Sequence, residues 1–266
     1  MDELIKIATD NGVFVEDKII DKRTRKTEAN HEDISERSII TFLKETVKKN
    51  SKLYYLIIEI ISPICPNKKP LKKFIARHKN ETILNIGSGN ERIGAGIINL
   101  DMFAYENVDI VTDAKKMCVK NDIVDAVIGM AMLEHMDDPE TVVKETERIL
   151  RKNGECFFAI PFMFGFHASP YDFTRWTHEG LKKMFARNGF EIVELGVQSG
   201  PTSAFLSITI DFLSILLSLG IKPLYEIWTI FFMLILWPLK FLDLILIKIP
   251  FAKVIAANFY IIGRKK

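Results

Sequence analysis

Between residues 82 and 195 short β-rich runs alternate with stretches of helical spacing, and that alternation confines the chain to an open α/β sheet with mostly parallel strands. The runs 82–86, 96–100, 109–112, 124–130, 156–161 and 191–195 read as strands. Val142, Val143, Thr146, Ile149 and Leu150 recur as the apolar stripe of a helix that starts near Pro139 and stops at Asn153-Gly154. Glu140 with Lys144 and Glu147 with Arg151 make pairs four residues apart on its wet side. A second helix is predicted from Thr177, a residue suited to cap a helix start, to Asn188-Gly189.

The sharpest local signal is ILNIGSGN, residues 83–90, where an apolar strand runs straight into a glycine turn. Gly87 and Gly89 permit backbone conformations and a close ligand approach that a Cβ would obstruct, although a plain tight turn uses the same residues. The next strand ends INLD, which puts Asp101 where an acid can accept both hydroxyls of a ribose. VTDA places Asp113 at the end of the third strand, within reach of an adenine edge.

The ordered set ILNIGSGN, INLD, VTDA, DIVDAVIGMAMLEHM, DPETVVKETERILRKNGE and FFAIPF resembles the class I S-adenosylmethionine-dependent methyltransferases over roughly 82–195. Its most specific piece is LEHM followed by DPE and ERILRKNGE. The resemblance implies a Rossmann-like, mostly parallel seven-stranded sheet with an antiparallel last strand, and S-adenosylmethionine as cofactor. By it, Gly87, Ser88 and Gly89 line the cofactor's methionine part, Asp101 its ribose, and Asp113 with Ala114 its adenine. Residues 130–135, with Met130 and Glu134 among them, form the floor beside the sulfonium. Asn85 belongs to the same set, but it stands where the family usually has an acid, so another group or water must meet the methionine ammonium.

Residue chemistry agrees with a cation-bearing nucleoside. The glycine loop lacks the lysine of a nucleotide-triphosphate loop, and Arg92 stands where a dinucleotide fingerprint has its third glycine. Only twelve positions separate Gly89 from Asp101, with Gly94 and Gly96 between, so the first helix is short or missing. Some methyltransferases with a similar LEH segment bind a divalent metal through an earlier acid. Ala131 occupies that place, and Glu134 with His135 alone leaves no metal expected.

Methyl transfer asks the protein mainly to align acceptor and sulfonium and to exclude water. For a hydroxyl acceptor, His135 and His167 are the candidate catalytic bases by position, with a purely structural hydrogen-bonding role as the other reading. HASPYDFTRWTHEGL, 167–181, follows the fifth strand, where this family often builds its acceptor pocket. Tyr171, Asp172, Arg175 and Trp176 are the substrate candidates, and an Asp172–Arg175 pair that merely pins the loop is the equal alternative.

Charge sets the surroundings. Thirty-six Lys plus Arg against 34 Asp plus Glu leave a net +2, which lacks the field of a dedicated nucleic-acid binder. Cys65, Cys118 and Cys156 form no close pair, which excludes a zinc ribbon and fits a reducing cytosol. Residues 1–10 lack the continuous apolar stretch of a secretory signal, so no export is expected. The first 50 residues carry 21 charged side chains, whereas 203–250 carry six. Within the first 80, short strands or loop over 12–37, with 13–15 and 18–20 flanking an acidic turn, a helical face over 38–61 and a short helix over 71–78 are expected.

The sheet's sixth strand, 191–195, and its seventh, 258–262, are separated by more than fifty mostly apolar residues. The chain therefore divides into an N-terminal segment (1–80), a methyltransferase core (81–200), an apolar helical insertion (201–257) and the last core strand (258–266). Ser203, Ser207, Asp211, Ser214 and Ser218 draw one polar stripe on a helix, Gly220 and Pro223 turn the chain, and 224–237 forms a second helix. Tyr225, Trp228 and Trp237 suit a lipid headgroup boundary. The longest uncharged run inside these helices, 227–239, is thirteen residues, shorter than the roughly 20 of a spanning helix. Both flanking strands share one sheet, so any crossings are even in number. A hairpin dipping into the cytoplasmic leaflet is favoured over two spans, with packing on the core or on a second copy as the remaining reading. The expectation is a membrane-associated methyltransferase of the cytoplasmic surface acting on a small-molecule or lipid-linked acceptor. A non-catalytic scaffold on the same fold is the rival.

Overall fold

The computed structural model describes residues 2–15, 18–23 and 60–266. The helical face expected over 38–61 falls outside these residues, save for its last two positions. Among the described residues a short helix, α1 (Asp2–Ile7), comes first, and nine strands form a single sheet: β1 (Gly12–Val15), β2 (Lys18–Asp21), β3 (Ile83–Ile86), β4 (Ile98–Asp101), β5 (Ile110–Val111), β6 (Val124–Met130), β7 (Leu150–Pro161), β8 (Phe190–Ser199) and β9 (Asn258–Lys265), in the spatial order β1-β2-β5-β4-β3-β6-β7-β9-β8. The seven strands from β5 to β8 in that order are the expected ones. β9 runs antiparallel between β7 and β8, while the pairs among β3 to β7 are parallel. The hairpin β1–β2 joins the sheet through a parallel pairing of β2 with β5. β1 and β2 coincide with the short runs at 13–15 and 18–20, but four-residue runs carry too little pattern to announce that they extend the sheet.

Parallel strands covered on both faces must be apolar on both, and β3 and β4 are buried at every position. On one face Leu84, Ile86, Leu100 and Val127 pack with Val142, Val143 and Ile149 of α3 (Pro139–Ile149) and Leu181 and Phe185 of α4 (His178–Arg187). On the other, Ile83, Ile128, Phe157 and Tyr260 meet Phe74 of α2 (Lys69–Arg77). Phe74 is completely buried, a contribution of about 2–3 kcal/mol. Both predicted helix starts are capped. Asp138 accepts the Thr141 amide, and Thr177 accepts the Gly180 amide. β7 begins at once after α3, at Leu150, and Asn153 takes a left-handed φ of +64° within it.

No helix fills the gap between Gly89 and Asp101. A polar lattice replaces it. Asn99 donates to the carbonyls of Glu91 and Asn107, Asn107 bonds Asn90 through two contacts, and Arg92 pairs with Asp109 at 2.7 Å.

The insertion leaves the sheet at Ser199 and returns at Asn258, and these two residues pair with each other. It consists of α5 (Pro201–Ser218), α6 (Lys222–Leu236), a 3-10 stretch over Trp237–Leu242, α7 (Asp243–Leu246) and a last 3-10 turn over Pro250–Val254. Its polarity is inverted. Ser203, Ser207, Ser214, Ser218, Glu226, Lys240 and Asp243 are buried, whereas Phe212, Ile215 and Leu216 are 63%, 64% and 60% exposed. Asp243 accepts the amides of Thr202 and Ser203 at 2.8 and 2.9 Å and the Ser203 hydroxyl at 2.6 Å, which caps the N-terminus of α5 with an anion. Lys240 donates to the carbonyls of Ile60 and Ser62. Two stretches, Pro201–Ser218 and Lys222–Leu246, are long and apolar enough to cross a membrane by length and composition.

Candidate functional site

A cavity of about 560 Å³ opens at the C-terminal ends of β3, β4 and β6. In an open α/β sheet this rim is where the strands' ends and their loops leave a crevice for a ligand, and the size falls in the roughly 300–1,000 Å³ range of small-molecule sites. Gly87 and Gly89 form one wall with φ of +63° and +55°. A Cβ on Gly87 would lie 2.8 Å from the Met132 Cβ, whereas one on Gly89 would meet nothing within 4 Å and would stand in open space. Asp101 ends β4 beneath the turn. Its Oδ2 accepts the Gly89 amide at 2.8 Å and its Oδ1 accepts the Phe103 amide at 2.9 Å. Each carboxylate oxygen retains a second lone pair, so the acid can fasten the glycine turn and still receive ligand hydroxyls.

The remaining cofactor candidates divide. Ala114 lines the cavity, while Asp113 does not and spends its Oδ1 on the Lys115 amide. Thr112 and Lys115 take the wall on either side of it. Asn85 is buried and donates to Asn99 Oδ1 at 3.1 Å, inside the sheet. Ser88 and Met130 also lie outside the lining, where Ala131 and Met132 stand instead. Sequence reasoning passed over Met102, Phe103 and Tyr105, which line the cavity directly after Asp101. The apolar run MFAY outside any strand was the available signal. Lys115 and Asp137 bridge at 2.9 Å on the opposite wall.

At the other end of the cavity lies His135, with Glu134 and His167 behind it and outside the lining. Glu134 and His135 sit on a single 3-10 turn, Leu133–His135, after β6. His135 lines the cavity, and its Nδ1 lies 2.6 Å from the Tyr171 carbonyl. Nδ1–H therefore donates there, and the neutral ring keeps its lone pair on Nε2. Glu134 is completely buried, and neither of its carboxylate oxygens has a hydrogen-bond partner among the described residues. His167 reaches the same point from the loop after β7. Its Nε2 is 3.8 Å from Glu134 Oε1, and its ring stands edge-on to that of His135 with centroids 5.2 Å apart. The Glu134 carboxylate holds the His167 imidazole above its ordinary range, with burial acting against it.

The four substrate candidates also divide. Tyr171 lines the cavity, as do Ser169, Pro170 and Phe173, which sequence reasoning did not single out. Asp172 and Arg175 pin the loop. Arg175 binds both carboxylate oxygens of Asp172 and the carbonyls of Phe164, Gly165 and Thr174, and Asp172 also accepts the His167 amide at 2.8 Å. Arg175 holds the Asp172 carboxyl down at about 2. Trp176 packs against the core.

A family model described as Methyltransferase domain matches residues 96–158, in agreement with the resemblance carried by the motifs. The ubiquinone biosynthesis O-methyltransferase of Pelagibacter ubique (strain HTCC1062) is 27% identical over 141 residues, 45% of this chain and 51% of that protein. The chain thus spans about half the length of the curated relative it matches. Among solved structures, an S-adenosylmethionine-dependent methyltransferase from Thermotoga maritima is 16% identical with a TM-score of 0.47, covering 85% of this chain and 99% of that one. The 1,6-didemethyltoxoflavin-N1-methyltransferase of Burkholderia thailandensis, solved with S-adenosylhomocysteine, is 12% identical with a TM-score of 0.47, covering 85% and 88%.

Proposed function

We propose that this chain, a member of the class I S-adenosylmethionine-dependent methyltransferase family, transfers a methyl group to an oxygen of an amphiphilic acceptor at the cytoplasmic surface of a membrane. The observation that carries the reading is topological: the apolar insertion departs from and returns to the same rim of the sheet that bears the cavity. Phe162 and Met163, which open the loop holding His167, donate their amides to Ala257 and Ala256 at the insertion's return. An acceptor anchored in the surface that covers the exposed apolar side chains would enter beside His135 and Tyr171. Similarity to an O-methyltransferase supports oxygen as the accepting atom.

The cradle suits the cofactor. Gly89 leaves space a side chain would fill, and Asp101 offers its spare lone pairs to the ribose hydroxyls. Asp101 also opposes the cofactor's net positive charge. When bound, S-adenosylmethionine supplies a methyl carbon on a sulfonium, open to in-line displacement. The chain's own contribution is alignment of the acceptor oxygen near contact distance, about 3–3.5 Å, and exclusion of water by Tyr171 and Phe173. An acceptor hydroxyl must give up its proton on methylation, and His135, which lines the cavity with the His167 ring 5.2 Å away, would be the group to take it.

The test incubates the full chain with labelled S-adenosylmethionine and a membrane lipid extract, beside a Gly89→Leu variant. Label in the organic phase with wild type alone supports the reading. Cofactor binding by calorimetry without any transfer to extracted lipids or to aqueous small molecules would favour a scaffold.

A further inference from the structure

We infer that Glu134, His135 and His167 form a site for one divalent transition cation of the zinc type, which meets the cavity through His135. The three ligand atoms all lie within 4.8 Å of one another. Glu134 Oε1 is 3.9 Å from His135 Nε2 and 3.8 Å from His167 Nε2. Two ligands of a tetrahedral zinc stand about 3.3 Å apart, so the carboxylate and each imidazole close by roughly half an ångström, and the two imidazoles, within 4.8 Å of each other, by up to about 1.5 Å.

Three independent features point to a cation. Glu134 is completely buried with both oxygens unpartnered among the described residues, which is costly for a carboxylate unless a positive charge meets it. His135 is oriented by its Nδ1 contact with the Tyr171 carbonyl, which leaves Nε2 facing Glu134. His167 is held at Nδ1 between the Gly165 carbonyl at 3.0 Å and the Arg175 guanidinium at 3.1 Å, with its Nε2 toward Glu134. His135, whose second nitrogen donates to a backbone carbonyl, has the arrangement that fixes metal-binding histidines. The Asp172–Arg175 pair supports this geometry. Asp172 accepts the His167 amide and Arg175 donates to Gly165's carbonyl, so both act as positioning residues.

In the sequence Glu134 and His135 stand as an isolated pair for which no metal is expected, and the third side chain, His167, comes from a loop more than thirty residues away. Two imidazoles and one carboxylate select zinc, cobalt, nickel or ferrous iron over magnesium or calcium, which prefer all-oxygen sets. An acceptor hydroxyl reaching such a cation would be made more acidic, with the histidines serving as ligands rather than as bases. That consequence rests on the methyl-transfer reading, whereas the affinity itself does not.

The test uses the full chain in mild detergent, stripped with a chelator and titrated with Co²⁺ without cofactor, followed by the visible absorption of the bound ion and by competition with Zn²⁺ and Mg²⁺. One site is expected, displaced by Zn²⁺ and not by Mg²⁺, and weakened about a hundredfold by His167→Ala and by Glu134→Gln. His178→Ala should leave it unchanged. Without metal, Glu134→Gln should melt no lower than wild type, and Zn²⁺ should raise the melting temperature of wild type alone. Cobalt affinity unaffected by either substitution, absence of binding at micromolar cobalt, or a metal-free Glu134→Gln chain that melts below wild type with no zinc response in either would overturn the site. S-adenosylmethionine calorimetry on the same variants keeps this outcome separate from the cofactor reading, because cofactor affinity should persist when the cation is lost.

Discussion

Replacing Phe212, Ile215 and Leu216 together by serine tests whether the insertion meets lipid. The three lie one helical turn apart on α5 and are 63%, 64% and 60% exposed. With side-chain areas near 200 Å², they present roughly 350 Å² of apolar surface, and full transfer to hydrocarbon is worth about 9 kcal/mol at about 25 cal/mol per Å². If half of that area reaches the acyl region, the triple variant loses about 4 kcal/mol, close to a thousandfold in partition coefficient. Flotation with vesicles measures the ratio directly. Because the side chains point away from the core, circular dichroism and S-adenosylmethionine affinity should match wild type. A triple variant that floats within threefold of wild type would refute the reasoning. A wild type that ignores vesicles and sediments as a stable dimer without detergent would assign the face to a second copy.

Gly87→Ala forces a Cβ to 2.8 Å from the Met132 Cβ at a φ of +63°, so it should destabilise the fold by about 1–3 kcal/mol in thermal melts and weaken cofactor binding. Gly89→Leu meets no protein atom within 4 Å at its Cβ but takes a left-handed φ of +55°, so it should cost about 1–2 kcal/mol in thermal melts while calorimetry on the folded variant detects no S-adenosylmethionine binding. Asp243→Ala leaves the amides of Thr202 and Ser203 without their acceptor, and should cost about 2–3 kcal/mol by denaturant unfolding. Asp138 caps α3, and the Thr141 hydroxyl and amide hold its carboxyl below the ordinary range. A depressed carboxyl contributes stability that is complete above the ordinary carboxylate range and disappears as pH falls through the lowered value. The gap in melting temperature between wild type and Asp138→Ala should therefore be constant at neutral pH and close in acid.

The strands that carry the cavity were legible because a parallel strand buried on both faces is a short apolar run, and each such run here ends in the turn or acid that the site uses. ILNI before Gly87 and INL before Asp101 show this, and both lie where expected. What one residue of register decides was less legible. Asp113 and its neighbours Thr112 and Ala114 share the end of a strand only two residues long, and the turn that turns Asp113 toward the Lys115 amide gives the wall to the neighbours. The meeting of His167 with Glu134 depends on the path of the 162–177 loop, which is set by six hydrogen bonds from one guanidinium, one of them to His167 itself, and by no periodic pattern. The polar stripe of α5 was readable by spacing. Its inward direction was not, since that depends on Asp243, forty residues on, supplying the partner for Ser203.

The inverted insertion and the site are mechanically continuous, and this makes the membrane more than an anchor in the proposed function. Asp211, on the polar stripe of α5, lies so close to Gly165 that a Cβ there would stand 2.8 Å from its Oδ2. The Gly165 carbonyl in turn receives Arg175 Nη2 and sits 3.0 Å from His167 Nδ1. A displacement of α5 against the sheet is therefore passed through one backbone carbonyl to the ring that faces Glu134. The return segment adds a second connection, since Ala256 and Ala257 hold the first two residues of the same loop by their carbonyls. Two attachments at opposite ends of the insertion converge on one loop, so a surface that orders the helices also fixes where His167 stands. A Gly165→Val chain, in which the added branch presses on Asp211, should accordingly lose cobalt affinity while keeping S-adenosylmethionine affinity, because Gly87, Gly89 and Asp101 share no hydrogen bond with that loop among the described residues.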